Sequence, residues 1–567
     1  MDNAKIVELF EEMADLSDLA GENPHAVRAY RRVAETVRGL TEPLRAIWER
    51  GEAGKLPGVG KATAAKLDEL FTTGSFEALE RVRREVPRSL LELLRVPGLG
   101  PKRARALWQG LGITNLAELE YACRENRLVT LPGFGEKTQA RLLASITFVL
   151  ESQNDIVLGR ALEVADEIAK LLRDGGASRV QVAGEARRGK PQVSKLVLVA
   201  SGIDVDEATR ILEASGRITE IEKAGDSLRL LYEGKSSLQI RVVADEHFPS
   251  TLFFETGDAA HLQALSERAR ARGKSLESLV ASCASENAIY EALGLAPIPP
   301  ELREGDRLEP PARLIERDHL SGIFHSHTDW SDGTATIEGM AKATAGAGFR
   351  FIGISDHSKA AAYARGLDSE RLLQQAEAIA EARERVPEVA ILHGIEVDIL
   401  RDGSLDLDDD TLGRLDFVIA SVHSSMGLPA DEMTARLVRA VSHPLVTMLG
   451  HPTGRLLLGR QAYPFDFEAV VRAAVANDTY FEINASRYRL DLDDSLVRRA
   501  AALGARFSIN PDAHSPAGIA EADLGVFVAR RAGLAPEQVL NARPADEVFA
   551  SLKARKDKAI ARLAGLA

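Results

Sequence analysis

Between residues 321 and 567, seven short apolar runs recur, each followed by a stretch of helical length. The runs read GIFHSH (322–327), FIGISDH (351–357), ILHGIE (391–396), FVIASVH (417–423), TMLGH (447–451), FEIN (481–484) and ARFSINPDAH (505–514). Apolar runs of strand length alternating with helical stretches form a repeated βα unit, which closes into a parallel sheet with helices outside. The pattern predicts a seven-stranded α/β barrel. Such a barrel gathers the carboxyl ends of all its strands on one face, where folds of this kind place their chemistry.

Nine polar residues stand at or just past those ends: His325, His327, Asp332, His357, Glu396, His423, His451, Asp512 and His514. Residues two apart on a strand share a face, so His325 and His327 point together, and Asp512 and His514 repeat the spacing. A lone histidine beside a strand is more often a hydrogen-bonded core residue than a ligand. Here six of the chain's 12 histidines occupy equivalent strand ends. Imidazoles mixed with carboxylates and no thiolate suit Zn²⁺, Mn²⁺ or Fe²⁺ in an open site. Nine donors exceed the needs of one ion, so two or three are expected, with Glu396 as a bridging carboxylate and no need for a protein nucleophile. His319, His393 and His443 fall outside the pattern. Arg365, Arg455, Arg460 and Arg489 lie in loops after strands, where guanidinium groups can clamp phosphate oxygens.

The amino-terminal part carries a different repeat. LPGVGK (56–61), VPGLGPK (96–102) and LPGFGEK (131–137) each precede a helical stretch. Glycine permits a tight turn whose amides, at a helix start, face a phosphate. Gly58, Gly60 and Lys61, then Gly98, Gly100 and Lys102, then Gly133, Gly135 and Lys137 are the expected DNA-backbone contacts. One copy would be an ordinary interhelical turn, whereas three point to helix-hairpin-helix binding of DNA without sequence preference.

The HxHTxxSDG, SDH, GxE, SVH, GHP and DAH motifs of residues 325–514 resemble the PHP phosphoesterase domain. ARGL (364–367) and NASRYRLD (484–491) resemble the version fused to bacterial family X DNA polymerases. The resemblance implies a trinuclear site made of the nine residues above, hydrolysing DNA from its 3′ end with Mn²⁺. Glu396, Arg365 and Arg489 are then the catalytic candidates. HAVRAYRRVA (25–34) resembles the phosphate-contacting helix of that family's lyase-like domain, and Lys66 falls where its Schiff-base lysine sits. Gly54 and Ala62 stand at two positions rich in lysine in lyase-active relatives, which favours a solvated helix lysine at Lys66.

The middle region departs from the same family. The family's GSxRRGK motif leads into a strand bearing two metal-binding aspartates, with a third on a later strand. Here the segment reads GEARRGKPQVSKLVLV (184–199), so Glu185 replaces the serine and Lys195 and Val197 take the two aspartate positions, while Gln239 takes the third. Ammonium repels a cation and valine offers no lone pair. In FFETGDAAHL (253–262), Asp258 and Leu262 replace a serine and an asparagine of the nucleotide-facing segment, and an anion there opposes triphosphate binding.

The expected fold is therefore multidomain. A lyase-like helical domain with helix-hairpin-helix (1–85) and a fingers-like helix-hairpin-helix domain (86–150) precede an α+β palm that has lost its metal site (151–235) and a thumb (236–300). A proline-rich linker (301–320) leads to a distorted (β/α)7 PHP barrel (321–567). The expected activity is a metal-dependent 3′-to-5′ DNA exonuclease acting in base excision or gap repair on gapped, 3′-ended or single-stranded DNA, with DNA polymerase activity doubtful. Residual polymerisation, hydrolysis of phosphomonoesters such as histidinol phosphate, and a noncatalytic repair scaffold are the rival readings. Net charge is −13, yet residues 1–150 are close to neutral, so DNA affinity would come from local phosphate contacts. Two cysteines, no transmembrane run and no signal peptide suggest a monomer in the cytoplasm, associated with the nucleoid.

Overall fold

The computed structural model describes residues 3–38, 40, 42–96, 98–150, 155–232 and 236–565. The chain divides into two compact units, residues 1–150 and residues 151–567. The expected domain boundaries at 150/151 and 235/236 abut residues 151–154 and 233–235, which lie outside the described residues.

The first unit is helical. Its long helices include α1 (Asn3–Ala20), α2 (Pro24–Arg38), α3 (Lys61–Thr73), α4 (Pro101–Leu111) and α5 (Glu136–Leu150). One hydrophobic core runs from Ile6 and Phe10 through Phe76 and Leu90 to Phe134 and Ile146. The expected division at residue 85 is thus not a division of the core. Each of the three glycine motifs is a turn closed by an amide-to-carbonyl bond across three residues: Val59 to Leu56, Leu99 to Val96 and Phe134 to Leu131. Gly58, Gly98 and Gly133 sit at φ of 83°, 86° and 86°. This is the third position of a type II turn, which side chains rarely tolerate.

The second unit opens with a five-stranded sheet. Its strands are β1 (Arg179–Ala183), β2 (Leu196–Ser201), β3 (Ile218–Ala224), β4 (Ser227–Tyr232) and β5 (Ser236–Val242), in the order β1-β2-β5-β4-β3. β5 lies between β2 and β4, parallel to the former and antiparallel to the latter. The palm-like sheet therefore extends at least to residue 242, not 235, because its central strand comes last in sequence. Helices from Phe248 to Ala292 follow, around Phe253, Leu265 and Tyr290.

The segment expected as a linker is packed against its surroundings. Ile315 is buried and its amide donates to Leu534 at 2.9 Å. Glu301 pairs with Arg530, and Glu304 pairs with both Arg188 and Arg531. The prolines shape a segment bound on both sides.

The barrel strands are β6 (Gly322–Ile323), β7 (Phe351–Ile354), β8 (Ala390–Asp398), β9 (Phe417–Ser421), β10 (Met448–Leu449), β11 (Tyr480–Asn484) and β12 (Phe507–Asn510). All pair in parallel and in sequence order. Ser326 bridges Ala513, joining the first strand's end to the last. Phe324, Phe351, Phe417 and Tyr480 pack in one inner cluster. Gly394 makes room for it, since a Cβ there would lie 2.3 Å from the Phe417 ring.

Candidate metal centre

The parallel register carries the nine donors to one place. They fall into overlapping groups whose ligand atoms lie within 4.8 Å of one another: His327, Asp332, His357 and His514; His325, His327 and Asp512; His325, Glu396 and His451; His357, Glu396 and His423. Glu396 is central and fully buried. Its Oε1 lies 2.8 Å from His451 Nε2, 3.2 Å from His423 Nε2 and 3.4 Å from His325 Nε2. Its Oε2 lies 2.9 Å from His357 Nδ1 and 3.7 Å from His327 Nε2.

The polar atoms here are buried but not satisfied by one another. Among the described residues, His325 Nε2, His327 Nδ1, His357 Nδ1, His451 Nδ1, Asp332 Oδ2 and Glu396 Oε2 have no hydrogen-bond partner. Leaving such atoms bare in a dry interior is costly. A cluster of bare nitrogen and oxygen donors within a few ångströms is what divalent cations complete, so the donor set fits a multi-metal site.

The electrostatics agree. Burial disfavours a charged His325, but the carboxylates of Asp512, Glu482 and Glu396 outweigh it and hold that imidazole well above its usual pKa. His357 behaves likewise between Asp332 and Glu396. Burial, Glu396 and Asp398 together leave His423 at about 10. Burial and the repulsion of His514 and His357 push His327 down to about 4. Burial, aided by Arg489, does the same to His451. Ligation requires neutral imidazoles, so metal binding would release any protons that these rings carry.

Three acidic residues that the motif reading passed over brace the donors. Asp356, in the SDH motif, accepts from Thr328 N, Thr328 Oγ1, Ser331 Oγ and Gln375 Nε2, holding the loop that carries Asp332. Asp398 faces His423 Nδ1 at 3.2 Å. Glu482 faces His325 Nδ1 at 2.7 Å. Asp398 had a signal in the sequence, since it lies two residues after Glu396 on one strand and so shares its face.

The loop arginines divide. Arg489 is buried, with Nε 3.6 Å from Asp512 Oδ2. Arg365 is exposed, has a left-handed backbone (φ 58°), and donates to the carbonyl of Ser331 beside Asp332. Arg455 instead donates to the carbonyls of Arg489 and Leu490 and pairs with Asp493. Arg460 donates to the carbonyl of Gly454. Arg455 thus braces the loop that carries Arg489, and Arg460 braces its own. His393 bonds Gln375, His443 faces Asp409 and His319 accepts from Glu316 N, all outside the cluster.

The first two amino-terminal turns leave helix starts, those of α3 and α4, without a side-chain cap. Gly60, Gly100 and Gly135 have open space where a Cβ would be. Lys61, Lys102 and Lys137 are exposed beside them. Lys66 lies with its ammonium 5.7 Å from the Tyr30 ring centre and 3.4 Å from the carbonyl of Ala62.

In the five-stranded sheet, the positions that the family resemblance leads one to expect as aspartates are Lys195, Val197 and Gln239. Val197 is buried with Ala183, Val199, Phe248 and Leu252. Gln239 donates to Ser227 Oγ at 2.7 Å. Lys195 is exposed. Glu185 accepts from Lys190 Nζ at 2.6 Å and from the amide and hydroxyl of Ser194 at 2.7 Å. Burial raises the Glu185 pKa, but Lys190 and Ser194 overcome it and leave the carboxyl at about 2. Asp258 caps the helix Ala259–Arg270 through His261 N.

A parallel barrel with buried imidazoles and carboxylates converging at its strand ends defines a metal-dependent hydrolase of the PHP type. Comparison with known families finds a helix-hairpin-helix domain over residues 1–76, a SAM-like helix-hairpin-helix tandem over 90–146, a DNA polymerase beta thumb over 251–304 and a PHP domain over 324–486. The PHP match stops short of Asp512 and His514, which the fold returns to the cluster. The chain is 34% identical over 571 residues to the DNA polymerase/3′-5′ exonuclease PolX of Bacillus subtilis, covering 98% of this chain and all of that protein. It is also 32% identical over 168 residues to a probable phosphatase of Thermoanaerobacter sp. (strain X514), covering 28% of this chain and 66% of that protein. A probable phosphatase of Syntrophotalea carbinolica is 33% identical over 163 residues, 27% of this chain and 65% of that protein. The chain belongs to the bacterial family X DNA polymerases that carry a PHP domain. The helix-hairpin-helix and thumb domains of that family make it a DNA-binding protein. No helix of the described residues is long and apolar enough to cross a membrane.

Proposed function

We propose that this protein is a metal-dependent 3′-to-5′ DNA exonuclease of base excision or gap repair, whose palm serves as a scaffold and not as a polymerase. The observation that carries the reading is the convergence of nine donors, eight of them buried and His423 partly so, around atoms that lack hydrogen-bond partners. His325, His327, Asp332, His357, Glu396, His423, His451, Asp512 and His514 would hold two or three divalent ions, Mn²⁺ foremost. Ions held there supply acidification of water and neutralisation of charge on phosphate oxygens.

The chain's own groups do the rest. Glu396 presents Oε1 to His451 and Oε2 to His357, so it would hold ions on both sides of the cluster. Arg489, beside Asp512, and Arg365, at the mouth, are placed to bind nonbridging phosphate oxygens. The helix starts at Lys61, Lys102 and Lys137 would grip the DNA backbone, leaving the barrel to act on a terminus. No carboxylate stands at Lys195, Val197 or Gln239 to hold a nucleotide's metal.

The similarity of the barrel to probable phosphatases favours phosphomonoesters as a second substrate class. One experiment separates the two. Duplexes labelled at the 5′ or the 3′ end are incubated with Mn²⁺, and histidinol phosphate is assayed in parallel. A ladder of shortening 5′-labelled products, with slow monoester turnover, supports the exonuclease. Monoester turnover that exceeds DNA cleavage overturns it.

A further inference from the structure

Glu482 is a fully buried acid on β11 and belongs to none of the donor groups. Its two oxygens each receive two donors. Oε1 accepts from His325 Nδ1 at 2.7 Å and Asn510 Nδ2 at 3.1 Å. Oε2 accepts from the amide of His451 at 2.6 Å and Asn484 Nδ2 at 3.1 Å. A site that meets donors at both oxygens calls for a carboxylate, because an amide would turn a donor of its own against two others.

This arrangement reaches the metal donors along three lines. With Nδ1 of His325 donating to Glu482, the ring's other nitrogen, Nε2, is left facing Asp512 at 3.2 Å and Glu396 at 3.4 Å. The His451 backbone is left-handed at φ 27°, a conformation that a non-glycine residue keeps only when its surroundings hold it. The bond from its amide to Glu482 is such a hold. Asn484 also donates to Asp512 Oδ2 at 3.1 Å, and Asn510 accepts from the amide of Phe324, next to His325. One carboxylate thus joins the ends of β6, β10, β11 and β12.

We propose that Glu482 is a positioning residue of the metal centre, which sets the ring nitrogen that His325 offers and secures the turn that carries His451. The inference rests on the reading of the barrel as a metal centre. An outer-shell carboxylate behind a ligating histidine fixes the ring's tautomer and orientation, and its loss typically costs roughly tenfold to hundredfold in metal affinity.

The test measures Mn²⁺ affinity and stoichiometry of the full chain by electron paramagnetic resonance titration, together with thermal unfolding of the metal-free protein. Glu482→Gln is expected to fold and to bind at least one ion about tenfold to hundredfold more weakly than the parent. Glu482→Asp keeps the charge but withdraws it by one methylene, so it is expected to lie between the two. A purely structural role would lower the unfolding temperature and leave Mn²⁺ affinity unchanged. Parent-like affinity in whichever of the two variants folds overturns the proposal. Failure of the parent itself to bind Mn²⁺ would instead strike the reading of the barrel.

Discussion

The palm-like sheet and the barrel differ in the side chains that their neighbouring strands bring together. In the barrel, Asp332, Glu396 and Asp512 remain, surrounded by imidazoles and leaving bare donor atoms. In the palm-like sheet Val197 makes an apolar contact, Gln239 donates to Ser227 and Lys195 is exposed. Buried charge persists only where something compensates it. Val197 and Gln239 are ordinary parts of a packed sheet, whereas the barrel's bare donors fit divalent cations.

The contrast is open to attack at both ends. The largest effect belongs to Glu396→Gln, which removes the oxygen charge shared by both sides of the cluster. Mn²⁺-dependent DNA hydrolysis should fall by more than about 100-fold, beyond the range of an outer-shell change. Steady-state kinetics on a labelled duplex would measure it, and a loss of only a few-fold would break the barrel half of the comparison. Next comes Val197→Asp, which puts a charge back into the apolar cluster. We expect a cost of about 3 kcal/mol in urea unfolding and no gain of nucleotide incorporation. A variant as stable as the parent would mean that the palm still accommodates a carboxylate.

Gly98→Ala tests the amino-terminal unit. Nothing crowds the new methyl group, so the penalty comes from φ 86° alone, about 1–2 kcal/mol per left-handed residue. DNA affinity by fluorescence anisotropy should drop several-fold, and unchanged affinity would remove this turn from the DNA contacts. The smallest effect is that of Glu185→Gln. The folded carboxyl sits at about 2, below its ordinary 4.5. Its contribution is therefore complete above pH 4.5 and fades as pH falls towards 2. Partial exposure screens it, so Glu185→Gln should lower the unfolding temperature slightly at pH 7. The gap to the parent should narrow below pH 4.5. A gap independent of pH would assign the effect to packing.

Much of the barrel could be read from the sequence, because parallel topology converts a list of strand ends into one location. Every donor from His325 to His514 was recognisable by its place after an apolar run. Glu482 was not, since FEIN looks like plain buried strand until β11 is set beside β12 and the His325 ring is seen to reach it. The proline-rich segment at 301–320 read only as a linker, because proline signals a break in helix but says nothing about what the broken chain packs on. Ile315 and Glu304 decide that through partners more than 100 residues away. The palm's limit was misplaced for a similar reason, as β5 inserts between earlier strands. Arg455 and Arg489 both lie in loops after strands, and their neighbours separate a loop brace from a group beside a metal donor.

The central claim is that the barrel is catalytic and the palm is not. It is tested most directly on one end-labelled, gapped duplex incubated with Mn²⁺, with and without dNTPs, comparing the parent with a His325→Ala, His327→Ala double variant. The account predicts shortening by the parent, none by the variant, and no extension by either when dNTPs are present. Extension by either protein, or undiminished shortening by the variant, would contradict it.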